Sequence, residues 1–299
     1  MLKRVLYYAI IMLLVSCKKS TNEPAPTPVA PSEVPPFKVA TYNMRVDVPS
    51  DKYPWSTVRK QRAIDIIRKY EFDIFGTQEL YYHQVQDVLK APTANVYDHV
   101  GLATGDGKPN GQESFDAIFY RRNRFDLIST GDFWYSDTPN EPSLSWGAAV
   151  KTHCTWAKFK DKKNNKEFFV FNSHLIFDHE IGQLKSVDIL KEKMNNIAKG
   201  YPIFCLGDFN SDPSTTAIKT LLGDRKLFDS KMLTTNLKDS PKGGTFSGFE
   251  ANMNANWRID LILVTSLIKV IRYQVIQDDF ESEIGVASDH LPVMVEVRL

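Results

Sequence analysis

Phe204-Cys205-Leu206-Gly207-Asp208-Phe209-Asn210 reads as an apolar strand that ends in an acid, with an amide two residues further on. Residues i and i+2 on extended backbone point to one face, so Asp208 and Asn210 are presented together. Near the C-terminus, Ser288-Asp289-His290-Leu291-Pro292-Val293 does the reverse: an acid and an imidazole stand just before an apolar strand. Strand ends on a rigid sheet are where chemical groups are commonly presented. Asp and His together can hold a metal, orient an imidazole and move a proton. The two stretches point to metal-assisted hydrolysis of a phosphate ester.

The pattern repeats along the chain. Phe37–Asn43 reads as a strand ending at Asn43, and residues 73–79 read as a strand ending at Glu79. Phe171-Asn172-Ser173-His174-Leu175 closes on His174. Asp260 lies in Arg258-Ile259-Asp260-Leu261-Ile262-Leu263, among apolar neighbours that are normally buried, so its carboxylate needs a partner. Each residue alone has a plainer reading. A strand-end Asp or Asn is commonly a turn or cap residue, and Glu79 suits the start of a following helix. The repetition of apolar strand, then acid, amide or imidazole, favours a shared site.

Helical periodicity covers about 57–70, 82–90, 182–198 and 215–222. Strand patterns cover about 116–120, 126–135, 148–160, 167–172, 202–206, 258–264, 270–277 and 293–298. Asp161–Lys166, with Asn164-Asn165, reads as a hairpin turn. Many strands with short polar connections imply antiparallel or mixed sheets covered by helices. One α/β domain over 37–299 is the simplest organisation.

Composition is that of a soluble globular protein, with 42% hydrophobic and 24% charged residues in a chain of 299. The formal net charge is +1; without Lys3 and Arg4 the remaining 35 basic and 36 acidic residues give −1. That balance argues against a dedicated polyanion binder, because non-specific nucleic-acid affinity is mostly phosphate neutralisation. Lys3 and Arg4 precede an apolar run from Val5 to Val15, too short to span a bilayer but suited to a signal-peptide core. Leu14-Val15-Ser16-Cys17 looks like a bacterial lipobox, so residues 1–17 are expected to be a lipoprotein signal ending at a lipidated Cys17. Residues 18–36 hold six prolines among small and polar residues and are expected to be an extended tether. The expectation is a monomer held at the cell envelope, touching the membrane through its lipid anchor only. Cys154 and Cys205 sit in strand-like apolar runs and are expected to be core thiols, with no zinc-type Cys/His spacing around them.

Taken in order, these motifs resemble the DNase-I-like endonuclease/exonuclease/phosphatase superfamily, here as a bacterial lipoprotein member. The matching elements are Tyr42-Asn43, Gln78-Glu79, Asn172-Ser173-His174-Leu175, Gly207-Asp208-Phe209-Asn210, Thr245-Phe246, Arg258-Ile259-Asp260 and Ser288-Asp289-His290. Any one of them is weak, and all in this order are strong. Phe119-Tyr120-Arg121 looks like a further family strand, and it puts Arg121 forward as a substrate-binding residue. The resemblance implies a four-layer α/β sandwich: two mixed, mostly antiparallel sheets face to face with helices outside.

It also implies a Mg²⁺-dependent hydrolase of phosphate esters, with Mn²⁺ as the alternative ion. Glu79 and Asn43 would hold the metal, with Asp289 as a further contact; hard oxygen ligands suit that ion. Asp260 would pair with His290, and Asp208 would orient or deprotonate the attacking water, the choice of base between Asp208 and His290 remaining open. His174 and Asn210 would donate to phosphoryl oxygens. The substrate could be nucleic acid, a small phosphodiester or sugar phosphate, or a lipid head group. A non-catalytic ligand-binding lipoprotein on the same fold is the competing class.

Some positions depart from the relatives. Where an Asp-His pair commonly follows the His174-Leu175 equivalent, this chain has Ile176-Phe177, with Asp178-His179 displaced by two residues. Gln183-Leu184 stands where a basic pair commonly opens the next helix, and Thr152 where an Arg is usual. A phosphate-clamping Arg is hard to replace, so the substrate is expected to differ. Trp55, Trp134, Trp146 and Trp257 are candidates for a stacking pocket, though aromatic residues are more often core.

Overall fold

Alternation along Phe37–Asn43 sets the architecture: Phe37 and Val39 turn to one side of the strand, Ala40 and Tyr42 to the other, and both sides are buried. A strand with two apolar faces needs a layer on each. The computed structural model describes residues 34–91, 96–111, 113–223, 226–240, 242–249, 257–277 and 287–299. Val34–Leu299 forms one compact unit. The expected signal, Cys17 and the tether up to residue 33 lie outside the described residues. Among the described residues no helix is long and apolar enough to cross a membrane.

The first sheet is built from β1 (Phe37–Asn43), β2 (Ile74–Gln78), β3 (Tyr97–Val100), β4 (Ile118–Arg121), β10 (Leu237–Lys238), β12 (Lys269–Val275) and β13 (Val293–Arg298). Its strand order is β10-β12-β13-β1-β2-β4-β3. The second is built from β5 (Phe125–Trp134), β6 (His153–Asp161), β7 (Glu167–His174), β8 (Ile203–Asp208), β9 (Phe228–Asp229) and β11 (Asp260–Val264), in the order β5-β6-β7-β8-β11-β9. Both sheets are mixed and mostly antiparallel; the parallel pairs are β1/β2, β10/β12 and β7/β8. The inner faces meet through Phe37, Val39 and Ile74 on one side and Phe168, Val170, Phe204, Leu206 and Ile262 on the other.

Outside the first sheet, α1 (Lys60–Tyr70) and α2 (Tyr82–Lys90) pack Ala63, Ile66, Ile67, Val85 and Val88 over Ala40, Phe75 and Phe119. Outside the second, α3 (Glu180–Ala198) and α4 (Thr216–Leu222) pack Val187, Leu190, Met194 and Ile218 over Phe169, Phe171 and Cys205. This is the four-layer α/β sandwich expected from the sequence. Cys154 and Cys205 are buried free thiols.

Two local expectations need correcting. The strand expected at 148–160 begins only at His153, because Trp146 and Gly147 take left-handed backbone and the Ala149 N–H donates to Asp178 instead of a neighbouring strand. The helix expected from residue 57 is preceded by a π-helical turn, Trp55–Arg59. That turn has a purpose in the packing. The wholly buried Arg59 guanidinium donates to the carbonyls of Met44, Arg45, Val46 and Tyr53, which pins the loop following β1.

Strand direction brings the chemistry to one end. The C-terminal ends of β1, β2, β7 and β8 lie there, together with the N-terminal ends of the antiparallel β11 and β13. At that end the two sheets are stitched by Asn172. Its Nδ2 donates to the Thr77 and Ala117 carbonyls, and its Oδ1 accepts from Gln78 Nε2 at 2.6 Å.

Candidate active site

Register alone aligns three of the site residues. His174 and Asp208 are partners across the parallel β7/β8 pair, and Asp208 and Asp260 across the antiparallel β8/β11 pair. Gly207 makes this possible. Its φ is +144°, and a Cβ there would fall 1.8 Å from the Ser173 carbonyl oxygen, so no other residue fits between β7 and the acid.

Asp208 is the hub. Its Oδ2 accepts from Asn43 Nδ2 at 3.0 Å and lies 3.7 Å from His290 Nε2 and 3.8 Å from His174 Nε2. Its Oδ1 accepts from the Asn210 backbone N–H at 2.8 Å. His290 Nδ1 donates to Asp260 Oδ2 at 2.9 Å, which fixes the ring and aims Nε2 at Asp208. Asp260 is fully buried, and its backbone N–H donates to Thr245 Oγ1. Burial drives the Asp260 carboxyl up, while His290 draws it down and Asp208 adds to the rise. Burial works against charge on His290, but Asp260 and Asp208 outweigh it, and the imidazole holds its proton well above the ordinary range.

A second imidazole faces Asp208 from the other side. His174 Nδ1 lies 3.5 Å from Asp116 Oδ1, and Asp116 Oδ2 lies 2.9 Å from His153 Nδ1, which also meets Thr104 Oγ1 at 3.0 Å. His153 is wholly buried, stacks on Trp134 and lies 3.5 Å from Asp132 through Nε2. Burial opposes the charged rings, but Asp116 overcomes it, with help from Asp208 for His174 and from Asp132 for His153; both are raised to about 9. Between its two imidazoles Asp116 stays ionised far below the usual carboxylate range despite its burial.

Glu79 and Asp289 form the open side. Asn43 Nδ2 also donates to Glu79 Oε1 at 3.1 Å, so one amide ties Glu79 to Asp208. The Arg45 guanidinium stands between the two acids, 3.6 Å from Glu79 and 4.0 Å from Asp289. Burial raises the Asp289 carboxyl; His290 lowers it, Glu79 raises it and Arg45 lowers it. Two carboxylates that repel each other and share one cation suit a divalent ion, and their hard oxygens suit Mg²⁺ or Mn²⁺. Asn43 Oδ1 accepts from the Arg45 N–H, leaving one lone pair. Asp208, Asp260 and His290 also bring ligand atoms within 4.8 Å and could hold an ion. Asp260 Oδ2 and His290 Nδ1 of that set already bond to each other, whereas Glu79 and Asp289 both line the cavity as carboxylates, so the donor chemistry favours the Glu79 side. Arg45, Glu79 and Asn210 all have positive φ, a costly conformation concentrated at one site.

The structure thus gathers Asn43, Glu79, His174, Asp208, Asn210, Asp260, Asp289 and His290. Asn210 faces the cavity, but its Nδ2 already donates to the Leu175 carbonyl. Arg121 must be corrected as a substrate-binding residue. It ends β4 five residues beyond Asp116, roughly 16 Å along the strand. There it donates to the Phe72 carbonyl, lies 3.6 Å from Asp73 and covers the Tyr97 ring.

Arg45, Asp116 and His153 were not singled out from the sequence. Asp116 had a signal, an acid directly before an apolar strand; a lone buried His153 and a loop Arg45 had none. The displaced Asp178-His179 pair is structural: Asp178 accepts from Ala149, and His179 caps α3 through Gly182. Of the tryptophans, Trp55 and Trp134 are buried, whereas Trp257 is exposed, stacked on Phe246 at the edge of the cavity.

The site opens into a cavity of about 840 Å³. A mannosyl-6-phosphatase of Bacteroides thetaiotaomicron is 34% identical over 88% of this chain and the whole of that one, with a TM-score of 0.81. An endonuclease/exonuclease/phosphatase of Bacteroides vulgatus is 29% identical over 88% of this chain and 99% of that one, with a TM-score of 0.80. D. rerio TDP2, solved with a single-stranded DNA product, shares the fold at 15% identity, 88% and 99% coverage and a TM-score of 0.66. Residues 40–290, from within β1 to His290, match the model of one family, and this chain belongs to it: the endonuclease/exonuclease/phosphatase family.

Proposed function

We propose that this protein is a divalent-metal-dependent phosphoesterase acting on a small phosphate monoester at the bacterial envelope, to which Cys17 anchors it. The observation that carries the reading is the convergence on Asp208. One carboxylate is met by an amide and two imidazoles, each imidazole backed by a second acid, at the mouth of an open cavity. Bound Mg²⁺, held by Glu79 and Asp289 with Asn43 beside them, would supply charge for the phosphoryl group and the departing oxygen.

The residues divide the remaining work. Asp208 takes the proton of the attacking water, since His290 and His174 already hold theirs. The two imidazolium rings donate to phosphoryl oxygens, where negative charge grows as the water oxygen bonds to phosphorus and the phosphorus–alkoxide bond breaks. The alkoxide leaves with a proton from the site or from solvent. Asp260 keeps His290 turned toward Asp208, and Asp116 does the same for His174.

The name of the Bacteroides relative as a mannosyl-6-phosphatase supports a small monoester. The near-neutral charge weighs against a polynucleotide track.

The test is a panel of phosphate monoesters, bis(p-nitrophenyl) phosphate and plasmid DNA, run with Mg²⁺, Mn²⁺ or EDTA. Release of phosphate from monoesters, abolished by EDTA and reduced on the order of 10³-fold in Asp208→Asn, is expected. Faster cleavage of DNA than of any monoester would replace this reading with a nuclease. Turnover of nothing would leave a ligand-binding protein. Labelled palmitate incorporated by wild type and absent from Cys17→Ala checks the anchor.

A further inference from the structure

One wall of the cavity is not used by the hydrolytic group. It forms where three irregular segments meet, bringing Thr104 after β3, Glu113-Ser114 before β4 and Lys151-Thr152 at the entry to β6 to its surface. The segments are fastened together, with the Thr104 N–H donating to the Ser114 carbonyl at 2.7 Å and Lys151 Nζ to the Gly105 carbonyl at 2.5 Å. A Cβ on Gly105 would fall 1.7 Å from a Glu113 carboxylate oxygen. The bare glycine is what lets Glu113 lie against this loop, so an acid and an ammonium group flank one residue.

Thr152 supplies an independent sign of a ligand. It is 3% exposed and lines the cavity, and its Oγ1 has no hydrogen-bond partner among the described residues. Buried hydroxyls are rarely left unpaired, and a ligand hydroxyl would restore the bond.

We propose that this wall is the subsite for the alcohol half of the substrate, and that this half is a neutral, hydroxyl-rich ring, making the substrate class a sugar phosphate. The inference rests on the phosphoesterase reading above. A carboxylate accepts, an ammonium donates, and a threonine hydroxyl does either; neighbouring hydroxyls on a sugar ring match all three. A second phosphate fits poorly, because Glu113 repels it and Lys151 is the one cation among the described residues of this wall. An alkyl tail would leave the Thr152 hydroxyl unpaired and give the Glu113 carboxylate and the remaining Lys151 protons nothing to bond.

The experiment compares a hexose 6-phosphate with ethyl phosphate, a primary-alcohol ester without further hydroxyls, using the full chain with Mg²⁺. The readout is the ratio of their kcat/KM values in wild type, Lys151→Met, Glu113→Gln and the near-isosteric Thr152→Val. Wild type is expected to favour the hexose ester, and each variant to lower the ratio about tenfold, chiefly through KM for the hexose ester. No preference in wild type, or a ratio unchanged by all three variants, overturns the subsite. So does weakened inhibition by inorganic phosphate in Lys151→Met, which would make Lys151 a phosphate clamp. Failure to release phosphate from either ester or from any other in the panel is a different result, and removes the phosphoesterase reading itself.

Discussion

The same strands carry charged residues at both ends, and the two ends behave differently. At the end away from the cavity, Asp73 accepts from the Lys38 N–H and lies within 4.0 Å of Arg121 and Arg124. Arg124 donates to Asp161 and to the Pro35 and Pro36 carbonyls while covering the Phe37 ring. Asp73 and Asp161 there each meet an arginine at the sheet edge, away from any cavity lining. At the cavity end Glu79, Asp116, Asp208, Asp260 and Asp289 share Arg45 and three imidazoles. One carboxylate often serves two partners, and the Asp260 Oδ1 atom has none among the described residues. Charged residues at a strand end are therefore not in themselves a site. A site is where their pairing is left incomplete and open to solvent, so that an ion or a substrate can complete it.

Substitution at the two ends should separate them. Glu79→Gln removes one formal charge from the open end, and the Mg²⁺ concentration for half-maximal turnover should rise by at least about tenfold, as titration of activity with metal would record. An unchanged metal requirement would move the ion to the Asp208–Asp260–His290 group.

The buried His153 tests whether the pairing behind the site is ionic. Its pKa, about 9 in the fold, exceeds the ordinary histidine value of about 6.5. Between those values the native state binds more protons than the unfolded chain, so its stabilising contribution is full below about pH 6.5 and is lost as pH rises through about 9. Urea unfolding in EDTA across pH 7 to 10 should show stability falling with pH. His153→Gln should flatten that slope by up to about 1.4 kcal/mol per pH unit. An unaltered slope would mean that His153 is neutral.

The smallest effect belongs to the closed end. Arg121→Ala should cost about 1 kcal/mol in urea unfolding, for the bond to Phe72 and the contact with Asp73. Its kcat/KM should stay within about twofold of wild type, because nothing joins it to the cavity. A tenfold loss of turnover would restore Arg121 to the substrate site.

Much of the architecture could be read before folding was considered. The many strand patterns with short polar connections imply antiparallel or mixed sheets, and the helical periods at α1 and α3 imply the helices that cover them. The motif residues Asn43, Glu79, His174, Asp208, Asp260 and His290 were visible because each closes or opens a strand. Arg121 was misplaced because a strand pattern gives no indication of which end of the strand faces the site. The end of the strand at 148–152 was misjudged because β propensity carries no account of Asp178 drawing the Ala149 N–H away.

The sequence by itself determined the strand-end residues that could carry the chemistry, since periodicity and strand-end position are local properties of the chain. Only the tertiary structure decided which of them meet. Asp116 joins His153 to His174, Arg45 stands between Glu79 and Asp289, and Glu113, Lys151 and Thr152 line one cavity because parallel and antiparallel pairings bring distant strand ends to one edge of the sandwich. Those distances depend on register and on the approach of two sheets, and no local stretch of sequence encodes either one.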